Sequence, residues 1–322
     1  MPDSMDFSRK SVLVLGGSGF IGSRVVAALS ASPVYRAVAA SRRSAVAVDA
    51  TDIDSVRALV GDAYYVINCV AGNARAMLRS TQVLCDAARV RPPHRIVHLS
   101  SMAVYGGAAG AVQEDHAPVS PVSAYGQAKI ACERVVRKYV EDGGDAVILR
   151  PTCVFGPGSR QWTTRLVRLL DAGRIGDLGA AGDGRCNLAF IDDVVAAIVE
   201  ALDTPDISGR TFNISSTCDL TWNEFLLIFG KALGATPVRR IPTRRLKLET
   251  KLLAPVRSVA SMVWRSPWTE AITPSLASLW QQDIRIDSTA AATDLAMPRT
   301  SVEQMIAAVV RTNRLKQEVA FS

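Results

Sequence analysis

Tyr125 and Lys129 stand four residues apart in Tyr125-Gly126-Gln127-Ala128-Lys129, a spacing that puts a phenol and an ammonium on one face of a helix. An ammonium beside a phenol lowers its pKa, which suits the pair to exchanging a proton with an alcohol or ketone oxygen near neutral pH. Ser101 is a third such group. It follows the apolar run Arg95 to Leu99, and its hydroxyl is suited to bonding the same oxygen as charge develops there. A second pattern is Gly16-Gly17-Ser18-Gly19-Phe20-Ile21-Gly22, with glycines at the first, fourth and seventh positions. Such a loop lets backbone approach a pyrophosphate, and free N–H groups at the start of a following helix favour its negative charge. The pattern sets Gly16, Gly19, Phe20, Ile21 and Gly22 against a dinucleotide.

Groups so far apart along the chain need a scaffold that gathers them. Ser11 to Leu15 is a β-branched and leucine run, followed by the glycine loop and a periodic apolar segment from Phe20 to Leu29, which reads as strand, loop and helix. Further buried strands are expected at Ala37 to Ala40, Ala45 to Val48, Tyr64 to Ile67, Arg95 to Leu99 and Ala146 to Leu149. Helices are expected between them at Ile53 to Val60, Ala74 to Arg89 and Ala124 to Glu141. Apolar strands alternating with helices predict an α/β fold, a doubly wound parallel sheet covered on both faces. Ligands of such sheets bind at the carboxyl ends of the strands, where Ser101 falls. After Arg150 the rhythm changes, with prolines and glycines crowding Pro151 to Gly158 and Gly173 to Gly184. The chain therefore reads as a dinucleotide-binding region, 1–150, and a smaller, mostly helical substrate-binding region, 151–322. A helix at Asp192 to Leu202, its start marked by paired aspartates, and a strand at Thr211 to Ile214 are expected to return to the first region, which then receives 187–214.

The 322 residues carry 37 Lys+Arg against 30 Asp+Glu, a net charge of +7. The excess is local. Arg239 to Trp268 holds eight basic residues and one acid, Glu249, and the remainder of the chain is balanced. One local cluster without a reader motif argues against nucleic acid as a partner. The same window interleaves Leu246, Leu248, Leu252, Leu253, Val256, Val259, Met262, Val263 and Trp264, as in a basic amphipathic helix with a break near Pro255. It could meet an anionic substrate, an acidic carrier or a membrane surface, or be a substrate-region helix with a solvated basic side. No apolar run is long enough to span a bilayer and Met1 to Lys10 lacks a signal-peptide core, so a cytoplasmic protein is expected. Six scattered cysteines without a Cys-x-x-Cys, and three histidines, indicate no metal site and no disulfide framework.

Taken in order and spacing, GGSGFIG at 16–22, Asp49 in VDATD, SSMAVYG at 100–106, YGQAK at 125–129, LRPTCVFGPG at 149–158 and FIDDV at 190–194 resemble one family over nearly the whole chain. It is the extended short-chain dehydrogenase/reductases, also called the NAD-dependent epimerase/dehydratase group. The resemblance implies a Rossmann sheet and a catalytic group of Ser101, Tyr125 and Lys129, with Lys129 also bonding the nicotinamide ribose beside Tyr125. It further implies Asp49 near the adenine, and a homodimer in which helices 74–89 and 124–141 pack as a four-helix bundle.

The end of the second strand bears on the cofactor, because NAD enzymes usually carry an acid there for the ribose hydroxyls. Here Ala39-Ala40-Ser41-Arg42-Arg43 has none, and Arg42 and Arg43 suit a 2′-phosphate, which favours NADP and leaves NAD open. Members resembling sugar dehydratases carry an Asp-Glu pair where this chain has Met102-Ala103, which cannot move protons. Two reactions remain: hydride transfer between NAD(P) and a ketone or secondary alcohol, or nucleotide-sugar epimerisation through a transient ketone. Nucleotide-sugar members usually place an asparagine at the position of Cys153 and an arginine at that of Cys186, with Arg185 here displaced by one. Both departures favour the oxidoreductase. Ile272-Thr273-Pro274 through Trp280, then Ile284 to Asp287 and a last helix from Ser301, resemble the hydroxysteroid dehydrogenase and dihydroflavonol reductase branch. Trp264, Trp268 and Trp280 fit an apolar pocket or lid, although aromatic residues at helical spacing more often serve as core.

Overall fold

The computed structural model describes residues 9–216, 219–263 and 270–321. The first elements are β1 (Lys10–Leu15), α1 (Phe20–Ala31), β2 (Tyr35–Ser41), β3 (Val46–Ala47), α2 (Ile53–Gly61), β4 (Tyr65–Asn68), α3 (Ala74–Val90) and β5 (Arg95–Leu99). Next come β6 (Gly110–Val112), α4 (Ala124–Glu141), β7 (Ala146–Pro151), β8 (Cys153–Phe155), α5 (Arg165–Asp171), β9 (Leu188–Phe190), α6 (Ile191–Asp203) and β10 (Thr211–Ile214). The chain ends with α7 (Trp222–Leu233), α8 (Thr243–Leu248), α9 (Ala254–Val263), α10 (Pro274–Gln281), β11 (Ile284–Ile286), α11 (Thr289–Asp294) and α12 (Val302–Phe321).

Seven strands form one sheet in the order β10-β7-β5-β4-β1-β2-β3, every pairing parallel. This is the Rossmann arrangement expected from the apolar runs. A parallel sheet buried on both faces needs apolar side chains at successive strand positions, and β1 supplies them from Val12 to Leu15. Val12 and Val14 pack with Val25 and Leu29 of α1 and Ile198 of α6 on one face. Leu13 and Leu15 pack with Val56 of α2 and Leu84 and Ala88 of α3 on the other. Because β1 lies between β2 and β4, the strand order reverses beside it, and a crevice opens at their carboxyl ends. β10 completes the far edge by pairing with β7, Ile214 opposite Pro151.

Two small parallel pairs join the later chain to this sheet: β8 with β9, and β6 with β11. The basic window holds α8, a π-helical stretch Glu249–Leu253 and α9, which follow one another without interruption. The break expected near Pro255 is thus a change of helix type just before it, since proline has no N–H to continue α-helical bonding there. Trp264, Arg265 and Trp268 lie outside the described residues.

Candidate active site

β1 ends at Leu15, and Gly16 turns with φ +79°, where a Cβ would come within 2.7 Å of the Cys69 carbonyl oxygen at the end of β4. Only glycine lets the loop take this conformation so close to its neighbour. The Gly19 N–H donates to the Gly16 carbonyl at 2.9 Å. Gly19 then caps α1 without a side-chain bond, leaving the first-turn N–H groups open. A Cβ on Gly19 would meet only the Gly16 carbonyl, at 3.1 Å, and otherwise fill the groove. Open N–H groups and bare glycine backbone fit the diphosphate of a dinucleotide.

Gly16, Gly19, Arg42, Arg43 and Asp49 line this groove of about 370 Å³, together with Ser18, Ser41, Thr51, Gly72 and Asn73. Ser41 Oγ and Ser18 Oγ, 2.7 Å apart, tie the glycine loop to the end of β2. Asp49 accepts hydrogen bonds from the Thr51 N–H at 2.9 Å and hydroxyl at 2.8 Å, which hold its carboxyl below the usual carboxylate range. Ile21 lines the adjoining cavity instead. Phe20 and Gly22 line neither of the two. A Cβ on Gly22 would lie 2.3 Å from the Gly16 carbonyl, and one on Gly158 would lie 3.7 Å from the Phe20 ring. Both residues therefore seat α1 against its surroundings, a packing role that the glycine spacing alone does not distinguish from ligand contact.

The second cavity, about 500 Å³, shares Cys69, Val70 and Ala71 with the groove and brings Ser101, Tyr125 and Lys129 together. Ser123 caps α4 by accepting from the Gly126 N–H at 3.1 Å, which sets Tyr125 in the first turn and Lys129 one turn on. A Cβ on Gly126 would fall 2.3 Å from the Ala103 carbonyl oxygen. Glycine there lets α4 lie directly against the turn Met102–Tyr105. Ser101, two residues past β5, caps that turn through the Ala103 N–H at 3.2 Å.

Ser101 stands near enough to Tyr125 to act on the phenol's pKa. Lys129 Nζ lies 5.9 Å from the Tyr125 ring centroid and donates to the Leu99 carbonyl at 2.7 Å. The sequence leads one to expect the ammonium to pull the phenol's pKa down. Instead burial, the leading influence, pushes Tyr125 up although 44% of the residue is exposed, and Ser101 pulls the other way. The ammonium itself is engaged by the Leu99 carbonyl. Burial also pushes Lys129 down, against Cys132, Cys69 and Glu133 nearby.

Behind these residues lies a buried network that the sequence reading did not single out. Arg150 donates to Glu133 through Nε at 2.8 Å and Nη2 at 2.7 Å, and to Tyr105 Oη at 2.9 Å. Ser100 Oγ donates to the same carboxylate at 2.5 Å. Burial pushes Glu133 up, but Arg150 and Ser100 outweigh it and hold the carboxyl below its ordinary value. Helical spacing from Lys129 to Glu133 is the one signal that pointed there. The cavity walls are also partly new: Thr152, Gln161, Trp162, Leu279 and Gln282 join Met102, Ala103 and Cys153. Gln282 bonds the Gly106 carbonyl at 2.7 Å and so ties the later chain to the turn after Ser101. Trp280 is fully buried core. Among the described residues Trp162, stacked on Trp222 at 5.9 Å, is the tryptophan in the wall. Arg185 bonds the Asp219 carbonyl at 2.7 Å and lines neither cavity.

A family model described as the NAD dependent epimerase/dehydratase family matches residues 12–215. The chain belongs to the NAD-dependent epimerase/dehydratase family. It is an enzyme of the NAD(P)-dependent short-chain dehydrogenase/reductase type. Among curated members, a dTDP-4-dehydrorhamnose reductase from Streptomyces griseus is 26% identical over 296 residues, 85% of this chain and 95% of the relative. A dTDP-4-keto-6-deoxy-D-glucose reductase from Streptomyces niveus is 30% identical over 256 residues, 73% and 83% of the two chains. Among solved structures, a UDP-glucose 4-epimerase from Thermotoga maritima superposes with a TM-score of 0.74 at 19% identity, covering 95% of this chain and 99% of the other. A UDP-glucuronic acid 4-epimerase from Bacillus cereus in complex with NAD gives 0.70 at 22% identity, with the same coverage. These likenesses place the epimerase/dehydratase fold over almost the full length.

Proposed function

We propose that the protein is an NADP-linked oxidoreductase acting on a ketone or secondary alcohol, with Tyr125 as the group that gives or takes the proton. The observation that carries this reading is the composition of the larger cavity. Among its described lining residues Lys129 is the one charged side chain, and no carboxylate is present. Loss of water needs a second proton-moving group, and a nucleotide diphosphate substrate is commonly held by arginine or lysine side chains of its own, besides the one that serves the phenol. A carbonyl needs neither. Leu99, Pro151, Val154, Trp162 and Leu279 make the remaining wall largely apolar.

A nicotinamide dinucleotide held here would supply or accept the hydride. This chain's residues do the rest. Ser101 and Tyr125 hold the substrate oxygen between two hydroxyls, Ser101 stabilising the charge that develops and Tyr125 transferring the proton. Lys129, buried one turn from Tyr125, would bond the nicotinamide ribose. Gly16, Gly19 and the open start of α1 would hold the diphosphate, with Ile21 also serving the dinucleotide and Asp49 serving its adenine. Arg42 and Arg43, with no acid at the end of β2, hold a 2′-phosphate. Residues 1–150 with 187–214 form the dinucleotide-binding region and the rest of 151–322 the substrate-binding region. α3 and α4 form the interface of a homodimer.

A ketone panel that includes 4-keto-6-deoxy sugar nucleotides and cyclic apolar ketones, read by oxidation of NADPH, tests this assignment. Stoichiometric oxidation with at least one ketone supports it; conversion of nucleotide sugars without net use of NADPH refutes it. The second reading, nucleotide-sugar epimerisation, is favoured by likeness to a UDP-glucose 4-epimerase from Vibrio cholerae, 26% identical over 267 residues, 72% of this chain and 78% of the relative. It requires a dinucleotide retained through purification, which mass analysis of the purified protein detects. The hydroxysteroid and dihydroflavonol branch rests on the C-terminal sequence alone, and the reductases named above act instead on sugar substrates according to their names.

A further inference from the structure

The helical run Thr243 to Val263 exposes an aliphatic stripe. Leu248 is 46% exposed, Leu252 66%, Val256 65% and Val259 67%, and steps of four, four and three residues align them along one side. Exposed Arg244, Arg245, Lys247 and Lys251 accompany the stripe, and none has an ion-pair partner among the described residues. The segment's single acid, Glu249, is buried and bonded to Arg174 and Arg257 on the inner side. The outer side therefore combines cations and branched aliphatics with no carboxylate.

We propose that this face seats the enzyme on an anionic lipid bilayer surface. Aliphatic side chains enter the headgroup boundary while lysine and arginine meet lipid phosphates, the composition of a helix that lies in the interface plane. Charge complementarity selects the occupant: a neutral membrane or a second copy of this basic face leaves the four cations unmatched or opposed. Among the described residues the stripe carries none of the aromatic anchors that protein interfaces favour. Among the described residues no helix is long and apolar enough to cross a membrane, so the contact is with the surface. The face also has a route to the cavity. The Glu249–Leu253 stretch packs on α10, whose Leu279 forms part of the cavity wall. The proposal stands independently of which ketone the enzyme takes.

Flotation of the full chain with vesicles tests it, using phosphatidylcholine alone and phosphatidylcholine mixed with phosphatidylglycerol. Binding is expected about tenfold or more tighter on the mixed vesicles, and weaker as salt rises. Lys247→Gln with Lys251→Gln, and separately Leu252→Gln with Val256→Gln, should each weaken binding about tenfold while circular dichroism and NADPH oxidation stay unchanged. If one pair fails to fold, the other pair and the salt series still decide. Equal binding to neutral vesicles, or wild-type binding by the folded variants, overturns the proposal. So does absence of vesicle binding, whether the aliphatic variant turns a dimer into a monomer or the lysine variant loses affinity for an acidic carrier protein.

Discussion

The sheet half and the chain that follows it hold their shape differently. In the sheet half, strand register and helix caps place the reactive side chains: β5 delivers Ser101, and the Ser123 cap delivers Tyr125 and Lys129. Its buried pair, Glu133 with Arg150, links α4 to β7, elements already fixed by packing. The later chain depends on single ties from distant side chains. Arg174, fully buried, reaches Glu249 in the π-helical stretch at 2.7 Å. Asn187 donates to the Ile284 carbonyl at 2.8 Å and accepts from the Ile286 N–H at 3.1 Å. The contrast separates two kinds of damage: chemistry lost on an intact frame, and frame lost with the chemistry untouched.

Tyr125→Phe should produce the largest effect and only the first kind. Turnover is expected to fall about 10³-fold, within the range for removing a general acid or base, while the unfolding midpoint stays within error in urea. A variant that keeps wild-type turnover would remove Tyr125 from the reaction. Glu249→Gln should produce the second kind. It deprives Arg174 and Arg257 of a shared carboxylate whose pKa burial pushes up and those two guanidiniums hold down. Breaking a buried pair of this sort costs about 3–5 kcal/mol, measurable by urea unfolding, with dinucleotide affinity retained. Equal loss of dinucleotide affinity would mean that the two halves are less separable than their ties suggest.

Arg42→Ala with Arg43→Ala is the third test and touches only the groove. Losing charge-assisted bonds to a 2′-phosphate should cut the preference for NADPH over NADH about ten- to a hundredfold with little change in stability. An unchanged preference would leave these arginines as a solvated turn. They were legible in sequence because strand, glycine loop and the end of β2 follow a spacing that backbone geometry imposes. Ser101, Tyr125 and Lys129 were legible for the same reason. Leu279, Gln282 and Trp162 were not: they reach the cavity through the β6–β11 and β8–β9 pairings and the π-helical stretch Arg160–Thr164, which no periodicity announces. Trp280 shows the converse, since its spacing is equally compatible with wall and core, and only packing decides. Spacing places Lys129 and Tyr125 on one face but does not reveal that a carbonyl, Leu99, engages the ammonium.

The smallest effect should come from the sheet half's own long-range tie, at the end of the sheet away from the cavity. Asp203, closing α6, accepts from Lys10, Tyr35 and Tyr65. Burial pushes its carboxyl up, but those three donors outweigh it and hold the pKa down at about 2. The same carboxylate, together with burial, pushes both tyrosines up. The sign follows from linkage: the folded state binds the Asp203 proton less readily than the unfolded chain does, so this contribution is present above the unfolded value near 4 and is lost as pH falls toward 2. The tyrosines act at the other limit, where the unfolded chain ionises near 10 and the folded one does not, so stability also declines above that pH. With its side chain 40% exposed, solvent screening reduces the Asp203 contribution to about 1 kcal/mol. Asp203→Asn should therefore flatten the acid limb of a stability–pH curve by that amount between roughly pH 2 and 4. A loss as large as that of Glu249→Gln would show that the sheet half, too, depends on a single side-chain tie.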